Sequence, residues 1–477
     1  MAGVYTEGAS KPLSGVYSLI KAALASISLG QRGTVALPFT AGWGPIAEFK
    51  KVGSRSEFLD TFGDGSAVGQ TGAKVAAHAW KGPDLPNIVL AYRMATADAA
   101  AATCVLNDTG AAAALTLSGA YKGTRANSFL ATVKVNALDD TKKDLELYEG
   151  SILRATYTGA TVKDVADAVN ADGEYVTAAV TAGKDAAVLA NVASSPFAGG
   201  DDGETLLAAD YTTMLDALET QVFNTVAMGT ATTDEAILAA VELWVRDVRA
   251  QGKYIAWVRG GPSSWDSNIT ESGTKSKAIN YRGIVNVGNG VDGFTAAEMA
   301  IYVAALLCAL PLNQSVADYV TPYDNVNKRL KVADRTQAKA DGTLVFVMDG
   351  ESVVIDEAVN TLSVPLNSES TEFGKIRISL TLDTITNDVE AFGKGWVGKR
   401  SNTAASRDAF AAAVTTEYLA ALERKELIQP GYYYIPNPEY HGPTPVYTPE
   451  VDEAYFIADI TPVDSMERIY SKFGVQF

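Results

Sequence analysis

Cysteine and histidine are scarce in this chain of 477 residues, which contains two of each. Cys104 and Cys308 lie far apart in unlike contexts, which excludes a disulfide framework or a cysteine metal knuckle and favours reduced structural thiols. His78 lies in an alanine-rich helical stretch and His441 in a proline-rich one, and neither has partners at the spacing of a catalytic triad or a metal site. The sequence therefore predicts no catalytic residue, no metal site, no cofactor and no enzyme.

Positive charge is scarce as well, because 39 lysines and arginines stand against 56 aspartates and glutamates, a formal net charge of −17. Binding to phosphates needs clustered Lys and Arg, so neither nucleic acid nor an anionic membrane surface is expected as the main partner. A long apolar run is also missing. The best candidate, Met299 to Val316, contains a proline, an asparagine and a glutamine, which leaves too few apolar residues to span a bilayer and predicts a buried helix.

The composition, 47% hydrophobic and 20% charged residues, is typical of a soluble globular chain, and the length permits roughly two to four domains. The first thirty residues show no basic segment that leads into a long apolar core, so no signal peptide is expected. We therefore expect the protein to stay in the cytoplasm of the cell that makes it.

Residues 205–310 alternate between helical and strand patterns, which predicts a mostly parallel sheet covered by helices. A helix ending near Val222, with Leu215 and Leu218 on one face, leads into an apolar strand. A second helix follows a Thr233 cap, and Thr295 caps a third. The predicted strands are Phe223–Met228, Tyr254–Val258 and Gly283–Val287, and the third helix is Ala297–Leu310.

Residues 93–204 differ in composition, since they are rich in Ala, Thr and Gly. They contain several runs in which apolar and polar residues alternate, which favours an inserted β-sandwich. The predicted strands are Ala114–Ser118, Phe129–Asn136, Leu145–Tyr148 and Ser151–Tyr157, with one helix at Val162–Val169.

From residue 344 the pattern predicts an α+β domain. A hairpin turns at Asp349 and Gly350, and a strand, a short helix and a long helix follow. The predicted elements are strands Leu344–Met348, Ser352–Glu357 and Lys375–Leu382 and helices Ile385–Phe392 and Ala404–Leu427.

Both chain ends are predicted to be extended arms. Ile469, Phe473, Val475 and Phe477 alternate with polar residues, which is the pattern of a half-buried strand, and no turn or partner strand follows them. Six of the seventeen prolines lie between Pro430 and Pro449, in an extended connector that reaches this strand. Short β-prone pieces near the N-terminus, Gly3–Glu7 and Ser14–Ile20, have a similar form. Such a strand either docks on its own domain or pairs with a sheet edge on another molecule.

The predicted fold class is thus α/β in an α+β multidomain arrangement. The predicted divisions are an N-terminal arm (1–25), the first part of the core (26–92), the β-sandwich insertion (93–204), the α/β core with its parallel-rich sheet (205–343), the α+β C-terminal domain (344–463) and a C-terminal arm (464–477).

The segment GKGWVGKR, Gly393 to Arg400, nearly matches a phosphate loop, but Arg400 stands where the metal-binding Ser or Thr is needed. The preceding ITNDVEAF looks helical, where a phosphate loop needs a strand. We interpret the segment as a glycine-rich turn that presents basic side chains. The stretch between Ala391 and Pro430 has six basic and four acidic residues, a local charge of +2.

Several long strings resemble the tail sheath proteins of contractile phages and phage-like particles. They include NGVDGFTAAEMAIYVAALLCALPLNQSV, TLVFVMDG, FGKIRISLTLDTITNDV and ITPVDSMERIY, together with SGVYSLIKAALASISLGQRGTVALPFTAGWGP near the N-terminus. The resemblance extends from Ser14 to Val475 and is weakest in the β-rich insertion, which would decorate the particle exterior.

The resemblance implies stacked six-fold rings around an inner tube, arms that add strands to neighbouring subunits, and an irreversible contraction that drives the tube through a target envelope without a nucleotide. The arm residues are Gly15, Val16, Tyr17, Leu19, Ile20, Ile469, Phe473, Val475 and Phe477. The candidates that face the tube, chosen for their local positive charge, are Lys394, Lys399, Arg400, Arg407, Arg424 and Lys425.

The implied partners are further copies of the chain, the tube protein, and baseplate and tail terminator proteins. Assembly in the host cytoplasm and release with the particle are expected, with no membrane insertion.

Two other readings stay open at the level of sequence. The acidic, Thr- and Ala-rich insertion would suit a surface-layer protein or adhesin, although no signal sequence supports export. An α/β core would also suit a nucleotide-dependent enzyme. Nor does the sequence separate a phage from an R-type bacteriocin or another phage-derived injection particle.

Overall fold

The computed structural model describes residues 2–3, 16–17, 32–65, 67–203, 205–366 and 370–473. The chain packs as two compact units. The larger unit is Gln31–Asp383 with Ser465–Phe477, and the smaller is Met1–Gly30 with Thr384–Asp464. The units divide along the chain at Asp383, whereas the sequence placed a boundary at residue 344.

The strands are numbered in chain order. They are β1 (Ala2–Gly3), β2 (Val16–Tyr17), β3 (Thr34–Phe39), β4 (Phe49–Val52), β5 (Ile88–Arg93), β6 (Thr103–Asn107), β7 (Ala113–Gly119), β8 (Phe129–Val135), β9 (Lys143–Glu149), β10 (Ile152–Gly159), β11 (Val176–Val180), β12 (Val192–Pro196), β13 (Thr225–Ala227), β14 (Ala256–Arg259), β15 (Ile284–Val287), β16 (Tyr319–Val320), β17 (Thr343–Leu344), β18 (Phe346–Asp349), β19 (Ser352–Ile355), β20 (Tyr433–Pro436) and β21 (Phe456–Asp459).

The helices are numbered in the same way. They are α1 (Arg55–Phe62), α2 (Gly72–His78), α3 (Val162–Asp172), α4 (Ala208–Glu219), α5 (Glu235–Ala250), α6 (Ser264–Ser267), α7 (Ile269–Ile279), α8 (Ala296–Ala309), α9 (Val332–Ala340), α10 (Ile376–Lys394), α11 (Ala404–Ala412), α12 (Ala420–Arg424) and α13 (Pro438–His441).

A seven-stranded sheet forms the centre of the larger unit, in the order β17-β15-β14-β13-β3-β5-β4. Every neighbouring pair is parallel except β4 with β5. The strand β3 contributes five fully buried positions, which is typical of a parallel strand covered on both faces. The predicted α/β core with a parallel-rich sheet is therefore confirmed.

Helix α8 packs against this sheet and is buried at every position except Glu298 and Ala309. A capping box begins it: the Thr295 hydroxyl accepts from the Glu298 amide at 3.2 Å, and the Glu298 carboxylate accepts from the Thr295 amide at 2.7 Å. The predicted buried helix and its Thr295 cap are confirmed. Within the described ranges, none of the helices combines the length and the apolar character that a bilayer crossing requires.

The β-rich insertion contains two sheets, ordered β10-β9-β8-β12 and β11-β7-β6. Alternating residues of both sheets, among them Leu115, Leu117, Phe129 and Leu147, enter one apolar cluster with helix α3. This arrangement confirms the predicted strands and the helix that begins at Val162.

The hairpin predicted around Asp349 and Gly350 is present as β18 and β19, and Gly350 adopts a positive φ of 60° that suits glycine. Just before it, β17 pairs with β15 at the edge of the central sheet. Residues 343–355 therefore belong to the larger unit, which is why the units do not divide at residue 344.

The predicted strand Lys375–Leu382 is wrong, because this segment begins helix α10. Its polar residues alternate with apolar ones, but they are buried rather than exposed to solvent. Ser379 donates to the Phe373 carbonyl oxygen at 2.7 Å, and Arg377 donates to the Leu312 carbonyl oxygen at 3.1 Å. A helix buried on nearly all sides, with internal partners for its polar groups, gives a sequence pattern that resembles a half-buried strand.

In the smaller unit a helical run extends from α11 through a π-helical segment, Ala413–Leu419, into α12. One face of this run is buried and includes Phe410, Val414, Tyr418 and Leu422. The Tyr418 hydroxyl donates to the carboxylate of Asp388 at 2.6 Å, which holds the run against the second half of α10.

The bidentate pair between Arg249 and Asp383, at 2.7 and 2.8 Å, has side chains only 1% and 6% exposed. The substitution Asp383→Asn should lower the free energy of unfolding by about 3 kcal/mol, because it leaves a buried guanidinium without a counter-charge. Urea unfolding followed by tryptophan fluorescence measures this.

The matched control is Asp167→Asn, which breaks the exposed pair between Lys163 and Asp167 on helix α3. It should change stability by less than about 0.5 kcal/mol. Equal effects of the two substitutions would contradict a special role for the buried pair.

Candidate interaction surfaces

The C-terminal segment presents apolar side chains to solvent. Ile469 is 76% exposed, Tyr470 90% and Phe473 88%. In the described part of this segment, residues 466–473, the backbone is not paired in a sheet. Val475 and Phe477 lie outside the described residues. The predicted donation of this segment to another molecule stays a prediction.

At the N-terminal end, Val16 and Tyr17 form β2, which pairs in parallel with β1. The other predicted arm residues, Gly15, Leu19 and Ile20, lie outside the described residues. The extended conformation predicted for Val16 and Tyr17 is therefore present, while exchange with a neighbour stays a prediction.

A two-stranded antiparallel sheet, β20 with β21, lies on the surface of the smaller unit. On one face Tyr434 and Phe456 stack at 5.2 Å, and Phe456 contacts Phe410 of α11 at 5.0 Å. Thr415 of the π-helical segment donates to the Tyr434 carbonyl oxygen and accepts from its amide. These contacts fix the sheet on the helical run. Because the sheet has two strands, each strand has one edge that is not paired with another strand.

The opposite face of this sheet is apolar and open. Tyr433, Ile435 and Ile457 are 38%, 40% and 41% exposed, and Ile435 lies directly across from Ile457. Sequence analysis assigned this stretch to a connector and missed the sheet. The run of β-prone residues from Tyr432 to Ile435 was the available signal.

The predicted basic residues fall into two groups. Lys394, Lys399, Arg400 and Arg407 surround the turn between α10 and α11, whereas Arg424 and Lys425 follow at the far end of the helical run. Seventeen residues of helix separate Arg407 from Arg424, a distance of about 25 Å. The structure therefore does not bring all six together.

Aromatic side chains support the basic turn. The ring of Trp396 contacts Phe410 edge-on at 5.4 Å, and the guanidinium of Arg400 lies 5.2 Å from the Trp396 ring. Arg407 donates to the Asn402 side-chain oxygen at 2.8 Å. The sequence analysis did not single out Trp396, although Phe392 and Trp396 at a spacing of four indicate one helix face.

A helix, α10, precedes the GKGWVGKR segment, as the sequence predicted. A phosphate loop needs a strand at that place. Among the side chains that the structure describes, no three His, Cys, Asp or Glu residues are placed to hold one metal ion.

Residues 205–361 match the family described as phage tail sheath protein central domain. The chain is 27% identical over 451 residues to the phage-like element PBSX protein XkdK of Bacillus subtilis, and the alignment covers 88% of this chain and 89% of that protein. The resemblance to tail sheath proteins is thereby confirmed.

Two solved structures have the same fold as this chain. A sheath tail protein from Desulfitobacterium hafniense aligns with a TM-score of 0.73 at 22% identity, over 97% of this chain and all of that one. The helical sheath of the anti-feeding prophage in its contracted state aligns with a TM-score of 0.54 at 12% identity, over 98% and 100%. Together with the family match, these likenesses support a structural protein of a phage tail or contractile injection particle.

Neighbouring side chains and backbone groups hold both histidines in place. His78 is 1% exposed, with Nδ1 2.8 Å from the Tyr323 hydroxyl and its ring edge-on to Phe294. Burial lowers the pKa of His78 to about 4. His441 accepts from the Tyr455 amide at 2.9 Å, and burial, followed by the charge of Arg407, lowers its pKa.

The lowered pKa of His78 predicts acid sensitivity of the larger unit. Between the usual pKa of 6.5 and the folded value of about 4, the unfolded chain binds a proton that the folded chain does not. Stability therefore falls as pH drops through this window and is unaffected above it. From pH 7 to pH 5 the His78 contribution should be a loss of about 2 kcal/mol.

The measurement compares urea unfolding of the natural chain and of His78→Gln at both pH values, so that the titration of carboxylates common to both cancels. The variant should lose less stability on acidification. Parallel losses in the two proteins would show that His78 does not titrate in this way.

Proposed function

We propose that this chain polymerises as a tail sheath, in stacked six-fold rings around an inner tube, and that the sheath contracts to drive the tube through a target envelope. The observation that carries the proposal is the run of exposed apolar residues after Glu467, which has no partner strand in the described part of its own chain. In this proposal the mechanical work comes from a rearrangement of the contacts between copies of the chain, and the chain is not an enzyme.

The C-terminal arm is proposed to add a strand to a second copy of the chain. Unpaired N–H and C=O groups along an extended segment are stabilised when they pair with an open sheet edge. The two-stranded sheet β20–β21 is the proposed acceptor, along the outer edge of β21, because Thr415 already bonds the outer edge of β20 and the outer face of the sheet is apolar. Ile469 and Phe473 would cover that face. At about five backbone hydrogen bonds, each worth roughly 1 kcal/mol net, one arm forms a moderate directional link.

The N-terminal arm is proposed to act in the same way through residues 15–20. Val16 and Tyr17 already adopt strand conformation. Head-to-tail links that do not close on themselves build a helical array. Contraction would then exchange few contacts between subunit bodies for many, while the donated strands remain paired.

The basic turn between α10 and α11 is proposed to face an acidic tube. Lys394, Lys399, Arg400 and Arg407 lie together there in a chain of net charge −17, and Arg424 and Lys425 would extend the contact along the helical run. Exposed ion pairs are individually weak, so such contacts can break when the sheath widens.

The remaining proposed partners are baseplate and tail terminator proteins, which would close the two ends of the polymer. Assembly would take place in the host cytoplasm, and the sheath would leave with the particle. The insertion, residues 93–204, would lie on the outside. The six divisions predicted from the sequence are kept as a proposal for how the chain is organised in the sheath.

The double substitution Lys399→Glu and Arg400→Glu should abolish polymerisation on tubes, because it replaces attraction to an acidic surface by repulsion. The test coexpresses the full chain with its tube protein and counts sheathed tubes by negative-stain electron microscopy. The matched control reverses another adjacent pair, Lys142 and Lys143 of the insertion, and should leave assembly intact. Normal sheathing by the Lys399 and Arg400 variant would rule out this tube surface.

Deletion of residues 469–477 should leave the melting temperature within about 2 °C of the natural chain, since the exposed segment makes few stabilising contacts. Long sheaths should nevertheless fail to form, which the same electron microscopy measures. In natural sheaths, the amides of β20 and β21 should exchange hydrogen more slowly than in the isolated subunit. Long sheaths from the truncated chain would contradict strand donation.

A further inference from the structure

Glu467 marks the end of the anchored part of the C-terminal segment. Its side chain is only 12% exposed, and its carboxylate accepts from the Lys375 ammonium at 2.7 Å and from the Ser315 hydroxyl at 3.4 Å. Every described residue after it, from Arg468 to Phe473, is exposed. The change from anchored to exposed chain therefore takes place within one residue.

A second contact lies two residues earlier. Arg377, which is 8% exposed, donates from Nη1 to the Ser465 hydroxyl at 2.9 Å and from Nε to the Leu312 carbonyl oxygen at 3.1 Å. Lys375 immediately precedes α10 and Arg377 is the second residue of that helix, so the start of one helix holds the C-terminal segment at two points. Buried charged donors with fixed geometry position a partner better than exposed ones do.

The N-terminal side of the larger unit is anchored at the same place. Arg32 donates to the carbonyl oxygens of Leu307 at 3.0 Å and Leu310 at 3.4 Å, in the last turn of α8 and just after it. Residues 307–315 thus contact Arg32 through Leu307 and Leu310, Arg377 through Leu312, and the root of the C-terminal arm through Ser315.

We infer that residues 307–315 together with Lys375 and Arg377 form a root socket, which fixes the point from which the C-terminal arm leaves the larger unit, beside the contacts of Arg32. The inference rests on the proposed strand donation and adds its geometry. Because the C-terminal arm begins at a fixed point, a rotation of the subunit body about this point leaves its starting position unchanged. The link to a neighbour can then persist while the contacts between bodies change.

The socket assigns a positioning role to Glu467. Replacing it by lysine puts two ammonium groups together at the root, so the segment should detach. The amides of residues 465–468 should exchange hydrogen about tenfold faster in the isolated subunit, as expected for the loss of a partly buried ion pair. The full-length variant, coexpressed with its tube protein, should form short or irregular sheaths.

Two further variants separate positioning from general damage. The charge swap Lys375→Glu with Glu467→Lys restores the pair with reversed polarity and should recover slow exchange and most of the sheath length. The control Asp452→Lys makes the same charge change at an exposed position of the connector and should change neither measurement.

Unchanged exchange at residues 465–468 in Glu467→Lys would show that the socket does not hold the segment. Faster exchange with normal sheaths would show that the contacts serve the fold alone, and would also overturn the inference. The deletion of residues 469–477 leaves the socket in place, so long sheaths from that truncated chain would refute strand donation while the exchange measurement still tests the anchoring.

Discussion

Much of the larger unit depends on one requirement: the carbonyl groups at the C-terminus of a buried helix must find hydrogen-bond donors. Helix α8 lies under the central sheet with almost no exposed surface, so its last carbonyl groups cannot rely on water. Arg32 supplies a charged donor to two of these carbonyls from a position 275 residues away in sequence from Leu307. A cation at a helix C-terminus is also favoured by the helix dipole. The same requirement therefore closes the core and fixes where the chain enters it.

The parts of the fold that sequence predicted are those decided by local interactions. Thr295 and Glu298 are three residues apart, and Asp349 and Gly350 are adjacent, so the cap of α8 and the turn of the β18–β19 hairpin are visible in the sequence. The alternation of helices and strands in residues 205–310 likewise depends on neighbouring residues. The Thr233 cap was misplaced by one residue, since Asp234 caps α5, and such one-residue differences are usual at helix ends.

The parts that sequence did not predict depend on distant partners. Arg377 looked like the polar side of a strand because its partners, the Leu312 carbonyl group and Ser465, are 65 and 88 residues away. The six basic residues looked like one surface, although a helical run separates two of them from the rest. Glu467 carried a readable signal: in an extended chain it falls on the same side as Ile469 and Phe473. A carboxylate on that side indicates where the anchored chain ends and the apolar strand begins.

The strength of a single arm bears on how the proposed polymer would grow. About 5 kcal/mol per donated strand corresponds to a dissociation constant of roughly 0.2 mM, too weak to hold two free subunits at micromolar concentration. Two copies that each have a net charge of −17 also repel one another. Stable association then needs several arms to pair at once, which a tube provides by holding subunits in place. In the proposed polymer, the acidity of the chain and the modest strength of its arms would thus have one consequence: subunits would stay apart in solution and would join where a template holds them.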